Sequence, residues 1–148
     1  MLDYKNILCA LDFDEHQTAV LRLAAALARE SDATLHVLHI ARIPTADMDV
    51  PVPIGKQPRW EQEARARIER LIQQTLTSSV KHQIEITSGL PDGDIVRAAA
   101  RLGADLIVIA THGRSGLKHL ALGSVAEQVI RNAGCPVLVI RPKSPVPP

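Results

Sequence analysis

The stretch that decides the fold begins Asp105-Leu-Ile-Val-Ile-Ala110 and continues into the loop Thr111-His112-Gly113-Arg114-Ser115-Gly116. The apolar run up to Ala110 predicts a buried strand, and residues 125–132 predict a helix. Gly123 and Ser124 stand where that helix begins. A glutamate follows Ser124 three residues later, which is the capping-box spacing, so we expect Ser124 to be the N-cap.

A strand, a glycine-containing loop and a helix start in this order favour an anion-binding site. Free backbone N–H groups point outward from a helix start, and the helix dipole favours negative charge there. His112, Arg114 and Lys118 add cationic or donor groups to the same loop. The pattern also fits an ordinary polar loop with turn glycines, because a loose glycine pattern is a weak fingerprint. These residues alone leave both interpretations open.

The composition excludes several classes of partner. The chain has 148 residues, enough for one domain with its own core. Its formal net charge is +1, from 17 basic and 16 acidic residues, so no electrostatic argument favours nucleic acid or an anionic membrane. No apolar run is long enough to span a bilayer and no secretory signal pattern opens the chain, which predicts a cytoplasmic protein.

The two cysteines are expected to be structural. Cys9 and Cys135 both stand beside apolar strand sequence, and neither belongs to a CxxC pair or a histidine cluster. We therefore expect two buried thiols and neither a disulfide nor a metal site.

The order of the elements predicts an α/β fold. The expected strands are residues 5–11, 34–40, 80–86, 105–110 and 137–141, and the expected helices are 16–30, 60–79, 91–102 and 125–132. This alternation implies a mostly parallel sheet with helices on both faces. Gly103 and Gly134 follow two of the helices and are expected to end them.

Residues 41–59 interrupt this regular alternation. They carry prolines at positions 44, 51, 53 and 58, which is too many for regular secondary structure. A connection of this length is usually functional or mobile. We favour a flexible flap with one side near the site, although plain disorder explains the composition equally well. Residues 1–142 are expected to form the single domain, with residues 143–148 as a disordered tail.

Two loops at strand ends carry the polar chemistry of the chain. In parallel α/β sheets, ligands bind at the C-terminal ends of strands, where the strand order reverses. Asp12 follows the first expected strand, and residues 113–124 follow the fourth. If these two strands flank the reversal point, the two loops face each other across one crevice.

These loops resemble those of the universal stress proteins of the ATP-binding type. The fingerprint of that family is Gly-x2-Gly-x9-Gly-Ser/Thr. Gly113, Gly123 and Ser124 match its second part, whereas Ala110 stands at the first glycine. Four further segments agree with the family in order and spacing: Ala-Leu-Asp12-Phe, Leu38-His39-Ile40, Leu122-Gly-Ser-Val-Ala-Glu and Cys135-Pro-Val-Leu-Val-Ile-Arg-Pro.

The resemblance implies the architecture and the ligand. The fold would be a five-stranded Rossmann-like sheet of the adenine nucleotide alpha-hydrolase-like type, with strand order 3-2-1-4-5. The ligand would be ATP, with Mg²⁺ as the cation that can accompany it. The protein would be a homodimer that pairs through residues 137–141 and acts as a nucleotide-dependent regulatory module in the stress response.

The resemblance also assigns roles to residues by position. Ala10, Leu11 and Asp12 would line the adenosine end, where Asp12 accepts hydrogen bonds from adenine or ribose and Ile40 packs on the base. At the other end, phosphates would approach the backbone at two glycines, bind the hydroxyl and N–H of a serine, and bind a further N–H. The residues concerned are Gly113, Gly123, Ser124 and Val125, and Ala110, His112 and Arg114 complete the set. The single methyl group of Ala110 should alter the affinity and leave the site open.

Each of these residues also has a structural interpretation. Asp12 would cap the first helix or turn, Ile40 would be a core residue, and Ser124 would be an N-cap with or without phosphate. A receiver-like domain is excluded because Thr87-Ser88-Gly89 offers no acid after the third strand. A Walker motif, a GxGxxG after the first strand and a metal-ligand cluster are also absent from the sequence.

Three functions remain open at this point. The first is a nucleotide-binding regulatory module, and the second is a slow ATPase or phosphotransferase that uses the same site. The third is a stress-related dimer whose site stays empty. Catalysis would need a placed base or an attacking water near the γ-phosphate. Asp12, His112 and His119 are the candidates for that role, and none has a recognisable catalytic context, so we assign no catalytic residue.

Overall fold

A computed structural model describes residues 2–14, 16–42, 49–76, 79–111 and 122–141 of the chain. The elements in chain order are β1 Asn6–Ala10, α1 Gln17–Ser31, β2 Thr34–Ala41, α2 Arg59–Thr75, β3 His82–Ser88, α3 Pro91–Leu102, β4 Leu106–Ala110, α4 Ser124–Asn132 and β5 Val137–Ile140. The five strands form one sheet in the order β3-β2-β1-β4-β5, and every neighbouring pair is parallel. The expected fold class and strand order are confirmed.

The central strands are buried on both faces, as their nearly continuous apolar sequences require. Along β1, Ile7 and Cys9 point to the face that α1 and α2 cover, and Leu8 points to the face that α3 and α4 cover. Each face therefore has its own aliphatic core. The alternation fixes the register, because a slip of one residue would exchange the two sets of side chains.

The helix ends confirm one expectation and correct two. Gly103 ends α3 in the left-handed conformation at φ 62°, as expected. Ser124 is the first residue of α4, and the N-cap is Gly123 at φ −73°. The prediction of Ser124 as N-cap was wrong by one position, since the Glu127 N–H closes the first helical turn on the Gly123 carbonyl at 3.0 Å. Gly134 does not end α4, because the cap is Ala133 in an extended conformation.

The connection between β2 and α2 is described from Asp49 onward, and residues 43–48 lie outside the described part. A turn is closed by the Lys56 N–H and the Pro53 carbonyl at 3.0 Å, with Gly55 at φ 80°. Three apolar side chains, Val50, Val52 and Ile54, are exposed there. The flap expected over residues 41–59 stays a prediction, and the expected tail lies outside the described residues.

Membrane insertion can be examined for the helices that the structure describes. None of them combines the length and the apolar character that crossing a bilayer requires.

Candidate functional site

The strand order reverses between β1 and β4. From β1 the chain proceeds through α1 to β2 on one side, and from β3 it crosses through α3 to β4 on the other side. Ile7 pairs with Leu106 and Cys9 pairs with Val108 in parallel, so the C-terminal ends of both strands lie at the same end of the sheet. The segments after Ala10 and Ala110 therefore leave the sheet side by side, at the position where such folds bind ligands.

The backbone after β1 is held firmly to β2. The Leu11 N–H donates to the Leu38 carbonyl at 2.9 Å, and the Leu11 carbonyl accepts a hydrogen bond from His39 Nδ1 at 2.8 Å. This bond places the proton of the imidazole on Nδ1, because a carbonyl oxygen can only accept. The Leu11 side chain is buried in the core beneath α1 and α2. The backbone bonds of Leu11 therefore fix the start of the loop.

The next two residues form a turn with an unusual backbone. Asp12 and Phe13 are half-buried, and Phe13 has φ 44°, in the left-handed region. A residue other than glycine pays roughly 1–3 kcal/mol for such a conformation and keeps it only where its surroundings hold it. The Phe13 ring lies 4.0 Å from the His39 ring, centroid to centroid, with an interplanar angle of 32°. Arg67 places its guanidinium carbon 4.3 Å from the centroid of the Phe13 ring.

The start of α1 uses a different carboxylate. Asp14 Oδ1 accepts the backbone N–H of His16 at 3.0 Å, and the Asp14 carbonyl accepts the N–H of Gln17 at 3.4 Å. An aspartate that bonds the backbone two residues later makes an Asx turn. The turn into α1 therefore uses Asp14.

The end of β4 is tied to the start of α4 and to β5. The Thr111 N–H donates to the Ile140 carbonyl at 3.0 Å, and the Thr111 carbonyl accepts the Gly123 N–H at 2.7 Å. Gly123 is buried, Val125 is half-buried and Ser124 is exposed. The two ends of the expected glycine motif are thus joined directly. His112, Gly113 and Arg114 lie outside the described residues.

Thr111 is a candidate that the sequence analysis missed. Its side chain is 5% exposed, and its Oγ1 has no hydrogen-bond partner among the described residues. A buried hydroxyl without a partner costs about 1–3 kcal/mol. The signal available in the sequence was its position as the first polar residue after the apolar strand β4. Phe13, His39 and Arg67 were missed as well, because their stacking joins three separate elements.

The remaining expected residues fall on two faces of the sheet. Ala10 and Ile40 pack on the α3/α4 side, and Ile40 is 7% exposed. Leu38 is the partner of Ala10 in the sheet, and Ile40 follows Leu38 by two residues. Ala110 packs against the α1/α2 core, on the opposite face. The methyl group that replaces the first motif glycine is therefore directed away from Ala10 and Ile40.

The two thiols of the chain are poor nucleophiles. Burial raises the pKa of Cys9 to about 12, so this thiol stays protonated at neutral pH. Cys135 is half-buried, and burial together with Asp105 raises its pKa. Both cysteines are free, and the expectation of full burial is met by Cys9 alone. In the part of the chain that the structure describes, no group of three or more His, Cys, Asp or Glu residues could hold a metal ion.

Sequence comparison decides the family. The family model described as "Universal stress protein family" matches residues 3–141. The chain belongs to this family. Universal stress protein MJ0531 of Methanocaldococcus jannaschii is 32% identical, over 93% of the chain and 82% of that relative. Universal stress protein A homolog 1 of Coxiella burnetii is 33% identical, over 94% of the chain and 97% of that relative.

Solved structures of universal stress proteins share the fold. The structure of MJ0577 from M. jannaschii gives a TM-score of 0.77 at 28% identity, covering 97% of this chain and 100% of that chain. A universal stress protein in complex with cAMP gives 0.63 at 20% identity, covering 95% and 98%. One from Archaeoglobus fulgidus in complex with dAMP gives 0.66 at 24% identity, covering 93% and 98%. At the latter two identities the likeness shows the fold alone.

Proposed function

We propose that this universal stress protein binds ATP across the C-terminal ends of β1 and β4, and that occupancy of the site regulates a dimer or a partner surface. The observation that carries the proposal is the bond between the Gly123 N–H and the Thr111 carbonyl at 2.7 Å. It holds the N-terminus of α4 at the end of β4, beside the turn that contains Asp12. Nucleotide phosphates would then lie at α4 and the adenosine at the end of β1.

The start of α4 provides the phosphate end of the proposed site. The first N–H groups of a helix have no partner within the helix, and the dipole adds partial positive charge there. Since Gly123 is the N-cap, the exposed hydroxyl of Ser124 is not needed for capping. The Ser124 hydroxyl and the N–H groups of Ser124 and Val125 would bind the phosphates. A nucleotide would also supply polar groups near Thr111 Oγ1.

The end of β1 provides the adenosine end. Asp12 is half-buried in a turn, and its two neighbours, Leu11 and Phe13, are held by contacts with β2 and α2. Its carboxylate can therefore accept hydrogen bonds from adenine or ribose at a fixed position. Ile40 follows the sheet partner of Ala10 by two residues and would offer an apolar edge for the base. The universal stress proteins solved with cAMP and dAMP bind ligands of the same adenine class.

The proposal extends to the cation and to the assembly. Carboxylate clusters are absent from the described residues, so Mg²⁺ would be coordinated mainly by phosphate oxygens and water. The protein would act in the cytoplasm as a homodimer, paired through the C-terminal strand at residues 137–141. The signal would consist of binding itself, since no described group has the context of a catalytic base.

Ser124→Asp tests the phosphate end. Aspartate in the first turn suits the helix dipole, so we expect a melting temperature near that of the wild type. Its charge would repel the phosphates, and we expect calorimetry to show a loss of ATP affinity of more than about tenfold. Ser124→Ala should weaken ATP binding, because a hydrogen bond to a charged group contributes roughly 1.5–3 kcal/mol. It should cost less stability than the about 1 kcal/mol of a lost N-cap.

Ser79→Asp is the matched control, because Ser79 is exposed and precedes β3. It adds the same charge away from the proposed site and should leave ATP affinity unchanged. If Ser124→Asp is folded and binds ATP as tightly as Ser79→Asp does, the start of α4 is not the phosphate site. A wild-type protein without measurable ATP affinity would contradict the proposed function as a whole.

A further inference from the structure

The Phe13 ring is contacted by side chains from two other elements. The ring of His39, from β2, has its centroid 4.0 Å from the Phe13 centroid, and the guanidinium carbon of Arg67, from α2, lies 4.3 Å from the same centroid. His39 is buried and is fixed by its hydrogen bond to the Leu11 carbonyl. Arg67 is exposed, so solvent reaches its contact with the Phe13 ring.

The residues before and after Asp12 are both held in place by contacts with other elements. The residue before it, Leu11, is bonded to β2 through its N–H and through its carbonyl. The residue after it, Phe13, keeps a left-handed backbone that a phenylalanine would not adopt by itself. Backbone strain of this kind persists where the surroundings over-determine the conformation, and it is concentrated at binding sites.

We infer that Phe13, whose ring is held by its contacts with His39 and Arg67, is a positioning residue that sets the orientation of Asp12 towards the nucleotide. This inference rests on the proposed ATP site. Through the contact of Arg67 with the Phe13 ring, α2 contributes to nucleotide affinity without touching the nucleotide. A ring that served only to cover the α1/α2 core would require neither a cation above it nor a left-handed backbone.

Arg67→Gln tests the contact between the guanidinium and the Phe13 ring with little risk to the fold, because the Arg67 side chain is exposed. We expect ATP affinity to fall by about twofold to fivefold, which is the factor that corresponds to an exposed cation–π contact. Arg67→Lys keeps a cation above the ring and should retain most of the affinity. Arg70→Gln is the matched control, since Arg70 is exposed on the same helix. It should bind ATP as the wild type does, with the same melting temperature as Arg67→Gln.

Phe13→Gly tests the role of the Phe13 ring separately from the backbone strain. Glycine adopts φ 44° freely, so the turn remains accessible while the ring is lost. We expect affinity to fall by about tenfold or more, and Phe13→Tyr, which keeps the ring, to restore it. Calorimetry with ATP and thermal unfolding are measured on every variant. If Phe13→Gly fails to fold, the comparison of Arg67→Gln with Arg67→Lys and Arg70→Gln decides.

The outcomes separate this inference from the proposed function. Wild-type protein that binds no ATP contradicts both. Wild-type protein that binds ATP, with unchanged affinity in Phe13→Gly and Arg67→Gln, contradicts only the positioning role. Equal losses in Arg67→Gln and Arg70→Gln also contradict it, because the effect would then be one of net charge. Losses in Arg67→Gln and Phe13→Gly that Arg67→Lys and Phe13→Tyr recover support it.

Discussion

The two edges of the sheet differ in chemistry. At one edge, β3 carries Glu85, which accepts two hydrogen bonds from Arg101 Nη2 at 2.6 and 2.7 Å. At the other edge, β5 consists of Val-Leu-Val-Ile, residues 137–140, all at least partly exposed. An apolar edge strand with free backbone groups is a template for pairing, whereas charged side chains discourage it. Among the described residues, the sheet therefore has one edge with charged side chains, here called the guarded edge, and one apolar edge.

The hydrogen-bond register shows which backbone groups point outward at each edge. The Leu35 N–H bonds the Lys81 carbonyl, so β3 turns its odd-numbered residues to β2 and its even-numbered residues outward. The outward carbonyl of Ile84 accepts a hydrogen bond from Arg65 Nη1 at 3.5 Å. The Thr111 N–H bonds the Ile140 carbonyl, so Val139 faces outward from β5 by the same reasoning.

Val139→Pro is expected to have the largest effect on this difference. Proline removes an outward N–H and leaves the bonds between β4 and β5 in place. If the protein pairs through β5, the dimer should weaken by at least about tenfold, for the loss of a central ladder bond and its neighbours. Light scattering coupled to size-exclusion chromatography over a range of concentrations measures the change.

Ile84→Pro is the matched control at the guarded edge. It also removes an outward N–H from an edge strand, and we expect it to leave the dimer unchanged. Equal dissociation by the two prolines would show that the effect is one of global stability. A wild-type protein that stays monomeric at high concentration would remove the assembly role of β5 altogether.

The fold could be predicted from the sequence because its signals are local. Apolar runs such as Leu106–Ala110 are too short and too β-branched for helices, and Gly103 marks the end of α3 where expected. The capping-box prediction at Ser124 was wrong, because the N-cap is Gly123, which has no side chain that would signal a cap in the sequence. The family fingerprint then supplied the strand order, which short-range patterns do not contain.

The supporting contacts of the candidate site could not be predicted in the same way. Phe13 and Arg67 lie 54 positions apart in the sequence and meet only because α2 covers the same face of the sheet as α1. The left-handed backbone of Phe13 has no sequence signal, since phenylalanine does not favour it. The buried Thr111 hydroxyl depends on the return of the chain at Gly123.

His36 gives the β3 side of the sheet a dependence on pH that the β5 edge should not share. His36 is buried, and its Nε2 hydrogen bonds with Asn6 Oδ1 at 3.0 Å. Burial lowers the pKa of His36, Glu85 opposes this and Arg101 adds to it. Protonation therefore favours the unfolded chain, and the stabilising contribution is present above the unfolded pKa of 6.5 and is lost as the pH falls towards the lower folded pKa.

The measurement compares His36→Gln with wild type by urea unfolding at several pH values. Between pH of about 6.5 and 5, the wild-type free energy of unfolding should fall more steeply, by up to about 1.4 kcal/mol per pH unit. Dimerisation should not follow this slope, because Val137–Ile140 contains no titratable side chain. Parallel slopes for the two proteins would show that His36 titrates equally in the folded and unfolded states.

The smallest effect on stability is expected from removing the charged side chains that guard β3, with Arg65→Ala and Arg101→Ala together. The side chains of the Arg101–Glu85 pair are 55% and 32% exposed, so solvent screens it and the double variant should lose only about 0–1 kcal/mol of stability. Its assembly should change more clearly, since an open edge invites pairing. We expect species larger than a dimer at high concentration, which light scattering detects.

Val139→Pro in the same background should leave the β3 contacts as the route of association. If the double variant stays the size of the wild type, the two arginines do not guard the edge, and the apolar sequence of β5 alone accounts for the difference between the two edges.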